Sequence, residues 1–449
     1  MWVRSSERAH NRSCGYRHTK SSNRGRYLLH LALAIVACAG PAAASRAADA
    51  VYAAESTPGA TVESLLRYAR EHNPEYAAMK LEAAAADERV YPAGALPDPR
   101  LRNEFRDITR METQNPTLLP ARVGSNRYLL MQDVPWAGKR ELKREIAQHD
   151  AEGAQGRALG TWSDVAARIK TAYAQLFYVR GTLGLTREIL DLMTRLEKVA
   201  QVRYAGGLAA QQDVIRAQVE QTNMRNEIVV MENEQHHLEV QLNGLLARPS
   251  HAPLAAPVGL RPVPRLDYAT LEARVMERNP QLYSDEARVR SAEKSRELAY
   301  KNRYPDFTLG VAPIQYQNSV REWEVMVELN IPLQQKTRRS QERESEAMLA
   351  AARARKEATA NQVLAELAQG ISAVDAAQRT ENLLDKSLLP QSDLTLQSAL
   401  AAYQNGKVDF ATLLDAQRAI RQAKQSRLKA QVEAQTRLAD IEKLIGEEL

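Results

Sequence analysis

Cysteine is nearly absent from this 449-residue chain: there are two, Cys14 and Cys38, both close to the N-terminus. A disulfide framework is therefore excluded for everything that follows them. Aromatics make up only 5%, with four Phe, which argues against a large aromatic core and for long helices and coiled coils. Beyond residue 37 no segment approaches the roughly 18 uninterrupted apolar residues of a membrane-spanning helix. Net charge is missing too, apart from the start of the chain. Seven of the 61 Lys and Arg lie in residues 1–37 beside one acid, Glu7, and the remainder balances at 54 of each sign. Nucleic-acid binding loses its electrostatic support. There is no Zn-protease His pair, nucleophile elbow, phosphate loop or dinucleotide fingerprint. The adjacent His residues of "ENEQHH" (Glu232–His237) point to different sides of a helix and read as surface. No catalytic residue, cofactor or metal ligand is assigned, and the chain is not expected to be an enzyme.

What is present begins with a basic leader, the apolar run "YLLHLALAIVACAG" and small residues in "PAAASRAADA". Residues 1–37 read as a signal peptide with cleavage at 38–44. Two sites are open: "IVAC" resembles a lipobox that would make Cys38 a lipidated N-terminus, and the "AAA" at 42–44 suits ordinary cleavage.

The rest says everything twice. "TVESLLRYAREHNPEYAAMKLEAAAADERVYP" has a counterpart in "TLEARVMERNPQLYSDEARVRSAEKSRELAYKNRYP", each with an early Asn-Pro and a Tyr-Pro exit. Two strand-like segments follow in each half, about 100–108 and 126–136, then 306–316 and 322–333. Long helical tracts come next, and each ends in a Tyr-x-x-Gly stretch, "YAGGLAAQQDVIRAQ" at Tyr204 and "YQNGKVDFATLLDAQ" at Tyr403. A returning helix completes each half. The first repeat spans 61–247 and the second 267–449, joined by a Pro-rich linker at 248–266.

In the last strand Trp323, Val325, Val327, Leu329 and Ile331 share one face, opposite Glu324, Glu328 and Asn330. Such alternation suits a half-buried soluble strand or a tilted membrane-spanning one. If the strands span, four per chain cannot close a barrel, and an open edge is forbidden in lipid, so copies of the chain must share one. Both long tracts reach roughly 100 Å at 1.5 Å per residue, although Pro390 should kink or break the second. The first returning helix carries a heptad seam from Val214 through Ala217, Gln221, Met224, Ile228, Met231, Gln235, Leu238 and Leu242 to Leu245. Gly207 and Gly406 are placed to end helices at hairpin tips, about 204–208 and 403–407.

The duplicated layout, the "NRYLLMQDVPWAGKRELK" passage and the "YQNGKVDFATLLDAQ" tip resemble the outer-membrane efflux protein (TolC-like) family from about Thr61 to Leu449. The resemblance implies a mainly α protein with membrane β: a homotrimer whose 12-stranded outer-membrane barrel continues as a periplasmic α-helical barrel. It would act as a passive exit duct. Its partners would be a periplasmic adaptor, an inner-membrane pump of RND type and outer-membrane lipid. The "VPWAGKR" passage resembles the heavy-metal branch. A duct for drugs or other small organic molecules, or a periplasmic coiled-coil adaptor, are the competing readings. On this resemblance Tyr204, Gly207, Tyr403 and Gly406 belong to the tips that meet the adaptor, with packing beneath the tip equally open to the two tyrosines. Asp415, Thr412, Asp213 and Arg216 belong to the tunnel gate on the same resemblance, with Thr412 standing where some relatives carry a second ring Asp and a solvated helix face equally open to Asp415. Lys139, Arg140, Lys143 and Arg144, with Lys336, Arg338, Arg339 and Arg343, open both long helices. They read as solvated helix starts or as a basic collar at the inner leaflet's phosphates.

Overall fold

The computed structural model describes residues 57–112 and 115–449. The expected signal peptide, its cleavage candidates and Cys38 lie outside the described residues. Helices α1 (Val62–His72), α2 (Pro74–Glu88) and α3 (Val90–Gly94) lead into β1 (Arg100–Arg106) and β2 (Ser125–Val134). Then come α4 (Lys139–Ala205) and α5 (Gln211–Leu245). The second half repeats the order with α6 (Tyr268–Arg278), α7 (Pro280–Lys301), β3 (Asp306–Tyr316), β4 (Ser319–Asn330) and α8 (Gln335–Leu383). A π-helical turn, Leu384–Leu388, joins α8 to α9 (Leu389–Gln404), and α10 (Phe410–Ile445) returns.

Both Asn-Pro steps start a helix in the same way. Asn73 accepts from Tyr76 N at 2.9 Å and Asn279 from Leu282 N at 2.8 Å, with Pro in the first turn where no N–H is needed. Each Asn also donates Nδ2 to the returning helix of its own repeat, Asn73 to Leu245 O (2.8 Å) and Asn279 to Leu444 O (2.7 Å). One side chain thus caps the beginning of a repeat and fastens its end.

The four strands make one antiparallel sheet in the order β1-β2-β3-β4, with the two hairpins joined through β2 and β3. β2 stops at Val134 and β4 at Asn330, short of the expected 136 and 333, because Pro135 and Pro332 cannot donate to a ladder. β1 ends at Arg106, where Asp107 turns to φ 54. β4 begins three residues earlier than expected, directly after the turn at Gln317, φ 55.

α4 is one helix of 67 residues, roughly 100 Å long. Every position of the heptad seam on α5 is buried or half-buried. At Pro390 the helix neither stops nor restarts from a loop. The preceding π turn widens the path by one residue, which accommodates the ring and its missing N–H. The apolar core is divided along the helices. One cluster lies at the root of the first hairpin (Leu65, Ile169, Leu176, Leu242), one at the root of the second (Val275, Leu367, Ile441), and one at the tips (Met193, Met224, Phe410, Leu413).

Candidate functional site: the sheet and the hairpin tips

A soluble half-buried sheet hides its apolar face. Here the apolar face is the exposed one. Leu101, Leu130, Val311 and Val325 lie in one paired row, and Leu309 pairs with Val327 on the same face. All are exposed, Val325 at 81%, with Trp323 beside them at 71%. The opposite face is charged and cross-linked. Arg127 meets Glu104 at 3.1 Å and Glu324 at 2.7 Å, Arg100 meets Asp133 at 2.8 Å, and Thr308 donates to Asp133 at 2.7 Å. Gly310 and Ala312 keep the centre of this face small beside buried Leu129 and Met131. Apolar outside and polar inside is the pattern of a membrane barrel wall. Among the described residues no helix is long and apolar enough to cross a membrane.

At the other end of the helices the two turns are built alike. Gly207 (φ 69) and Gly406 (φ 71) take the left-handed position. Leu208 N donates to Arg203 O and Lys407 N to Ala402 O, closing both helices with the same 6→1 bond. Asp409 caps α10, accepting from Thr412 N at 3.0 Å and from its Oγ1 at 2.5 Å, and these bonds hold the carboxyl below its usual range. The Thr412 hydroxyl is therefore engaged in a cap.

The two tip tyrosines diverge. Tyr204 is 47% exposed, whereas Tyr403 is 2% exposed, edge-on to Phe410 at 5.4 Å and under the Arg203 guanidinium at 4.9 Å. Of the two roles open to Tyr403, its side chain takes packing, so an adaptor contact through this ring is corrected. Arg203 comes from the first hairpin. It donates to Tyr403 O and, at 3.0 Å, to Gln404 O of the second, and to Leu208 O of its own turn at 3.3 Å. Sequence reasoning missed this tie, because the repeat counterpart of Arg203 is Ala402 and nothing in the duplication marks it. Asp213 is half-buried, and burial pushes its carboxyl up despite Arg216 and Arg203 nearby. Asp415 is exposed on α10 with Arg418 at 4.0 Å. Arg418 itself reaches buried Glu220 of α5 at 2.8 Å, and Arg421 reaches Glu227 at 2.6 Å. Asp213 and Arg216 thus share a cluster with Arg203 and Asp409, whereas Asp415 stands apart on the exposed face of α10.

The sequence model of the outer membrane efflux protein family matches residues 65–248 and 273–447, one span for each repeat. The chain belongs to this family. Among solved structures it is similar to the outer-membrane channel OprN (TM-score 0.73, 19% identity, covering 86% of this chain and 89% of that one). It is also similar to CusC (0.75, 16%, 86% and 92%) and to VceC of Vibrio cholerae (0.74, 16%, 86% and 96%). No curated protein matches the sequence. As a member of the family, the protein is an outer-membrane efflux duct that extends into the periplasm.

In this efflux protein the passage from sheet to helix is an aromatic and basic junction. Trp136 stacks on Tyr304 at 5.1 Å and on Phe307 at 5.7 Å. Lys139 does not serve as part of a basic collar. Its side chain is buried, pairs with Asp306 at 2.8 Å and donates to Tyr304 O at 2.9 Å, while Asp306 also accepts from Trp136 N at 2.8 Å. Arg140 is tied to Gly94 O at 2.9 Å and Arg338 to Asn302 O. Lys143, Arg144, Lys336 and Arg339 stay exposed. Among the described residues no three His, Cys, Asp or Glu come together as a metal-holding group.

Proposed function

We propose that three copies of this duct close one barrel of twelve strands, four from each chain, and continue it as a helical tunnel gated at the tips. The observation that carries the reading is the inverted sheet: apolar side chains outside, an ion-paired face inside, and two edges, β1 and β4, each with one unpaired side. Unpaired edges are not tolerated in lipid, and the smallest closed membrane barrels need about eight strands. The tunnel gate is assigned to Asp213 and Arg216 beside Arg203, and to Asp415 on the exposed face of α10. Tyr204 and the turns at Gly207 and Gly406 meet a periplasmic adaptor, which couples the duct to an RND-type pump in the inner membrane.

The lipid contact lies at the junction, where a cavity of about 740 Å³ is lined by Val134, Trp136, Phe307, Arg140 and Arg144. Val134 pairs with Phe307 on the apolar face of the sheet, so the cavity opens at the foot of the lipid-facing wall. Aromatic rings with guanidinium groups below them suit the level of lipid headgroups. For the cargo we favour heavy-metal cations, on the resemblance of the "VPWAGKR" passage to the heavy-metal branch, with drugs as the second reading. No catalytic role is assigned. The test is fractionation followed by export. A trimer released from outer membranes only by detergent, with deletion sensitising cells to metals, supports the reading. A monomer in the periplasmic wash ends it, and sensitisation to drugs alone selects the second cargo.

A further inference from the structure

The charges on the inner face of the sheet are unevenly satisfied. Those on the two central strands are paired, whereas part of those on the edges is left over after Arg100, Glu104 and Glu324 have met the central strands. On β1, Arg102 and Arg106 each stand 3.8 Å from Glu104, a carboxylate already held by Arg127 at 3.1 Å. One acid therefore faces three guanidinium groups, and the β1 edge carries surplus positive charge. On β4, Glu324 is shared with Arg127, Glu322 accepts only from Tyr316 Oη at 3.2 Å, and Glu328 has neither an ion pair nor a hydrogen bond through its side chain among the described residues. The β4 edge carries surplus negative charge. The pairings that run from Arg102 through Leu129, and from Ala312 to Glu324, place both surpluses on the same face of the sheet.

Strand direction permits the two edges to meet. Neighbouring strands alternate, so in a four-stranded sheet β1 and β4 run in opposite senses. β4 of one copy can then pair antiparallel with β1 of the next. We propose that the seam between copies is an ionic ladder on the inner wall, with Arg102 and Arg106 of one chain against Glu322 and Glu328 of its neighbour. This inference rests on the trimeric reading above and adds what selects the partner edge. Two β1 edges would bring Arg against Arg and two β4 edges Glu against Glu, so a two-fold pair is disfavoured. Only head-to-tail pairing matches the charges, and head-to-tail pairing makes a ring where the rotation from copy to copy closes.

The experiment uses the full chain in outer membranes and measures the fraction recovered as trimer by size and mass in mild detergent. The wild type is the control; a wild-type monomer would remove the trimeric reading itself, and the ladder with it. With a wild-type trimer in hand, R102E/R106E and E322K/E328K are each expected to lower trimer recovery roughly tenfold, since each turns cross-strand attraction into repulsion. The fourfold variant carries both changes, restores opposite charges across the seam and is expected to recover to near the wild-type level. A double variant that assembles like the wild type overturns the ladder. So does a fourfold variant as poor as the doubles, which would assign the losses to misfolding instead of pairing.

Discussion

In the first repeat the returning helix closes over Asn243, and 199 residues later the second closes over Glu442. Both are buried. Asn243 donates Nδ2 to Ser250 O at 3.2 Å and Ala252 O at 2.9 Å, fastening the helix to the start of the linker with neutral bonds. Glu442 accepts from Lys170 of α4 at 2.7 Å, from Arg261 of the linker at 3.0 Å and from Leu449 N at 3.0 Å. The amide Nδ2 at this position is satisfied by backbone nearby. A carboxylate needs cations, and it draws them from the first repeat and from the linker. The duplication kept the helix and changed what the helix holds.

Removing each residue measures that difference. Glu442→Ala leaves Lys170 buried beside only Glu448 at 3.6 Å, and the expected cost is about 3–5 kcal/mol. Asn243→Ala leaves two carbonyls without a donor and should cost about 1–3 kcal/mol. Denaturant unfolding of both variants in detergent gives the two numbers side by side. Equal losses would mean that the ionic root adds nothing over the neutral one.

The tips differ in the opposite sense, since here the first repeat supplies the cation. Arg203→Ala removes its bonds to Tyr403 O, Gln404 O and Leu208 O and uncovers the Tyr403 ring. We expect a loss of about 2 kcal/mol in tip association. In planar bilayers this should appear as higher single-channel conductance, while Tyr204→Ala leaves conductance near the wild-type value. An unchanged Arg203→Ala channel would show that the hairpins are held together elsewhere.

These contrasts mark what could be read from residues alone. The repeat order, the alternating strands and the tip glycines are written in local patterns, and local patterns survive duplication. Lys139 reads as one of a row of basic residues, because its partner Asp306 lies 167 positions away. Arg203 stayed hidden for a related reason: its bonds go to backbone carbonyls, which leave no mark in side-chain identity. The N-cap at Asp409 is written locally, as Asp-x-x-Thr before an apolar run, and it gives Thr412 a capping bond in place of a gate role.

A smaller contrast sits one turn past each root. Ala247 (φ 54) and Gly446 (φ 80) occupy equivalent left-handed positions after their helices, with Arg248 N closing onto Asn243 O and Gly446 N onto Glu442 O. A Cβ is unfavourable at such φ by about 1 kcal/mol. Ala247→Gly should therefore stabilise the first root by up to roughly 0.5 kcal/mol, the part of that strain not offset by extra freedom in the unfolded chain. Gly446→Ala should destabilise the second by more than 1 kcal/mol, because its Cβ would also come within 3.2 Å of the Pro280 ring. Thermal unfolding that moves both variants in the same direction would contradict the equivalence.

The smallest effect expected is one of pH, and it sets the acids of the two tips against each other. Asp409 is held below its ordinary 3.8 by the Thr412 bonds, so its contribution is present above 3.8 and fades only as pH falls through the depressed value. Asp213 is raised above 3.8, first by burial and then by Asp409, against the pull of Arg216 and Arg203. Between 3.8 and that raised value the closed tip binds more protons than an open, hydrated one. Closure should therefore weaken as pH climbs through this window and level off beyond it. Asp213→Asn removes the titrating group, so its conductance should lose the rise that the wild type shows in that interval, with the Asp409 cap intact. Matching pH profiles for the two proteins would place the titration elsewhere and leave Asp213 as an ordinary helix-start acid.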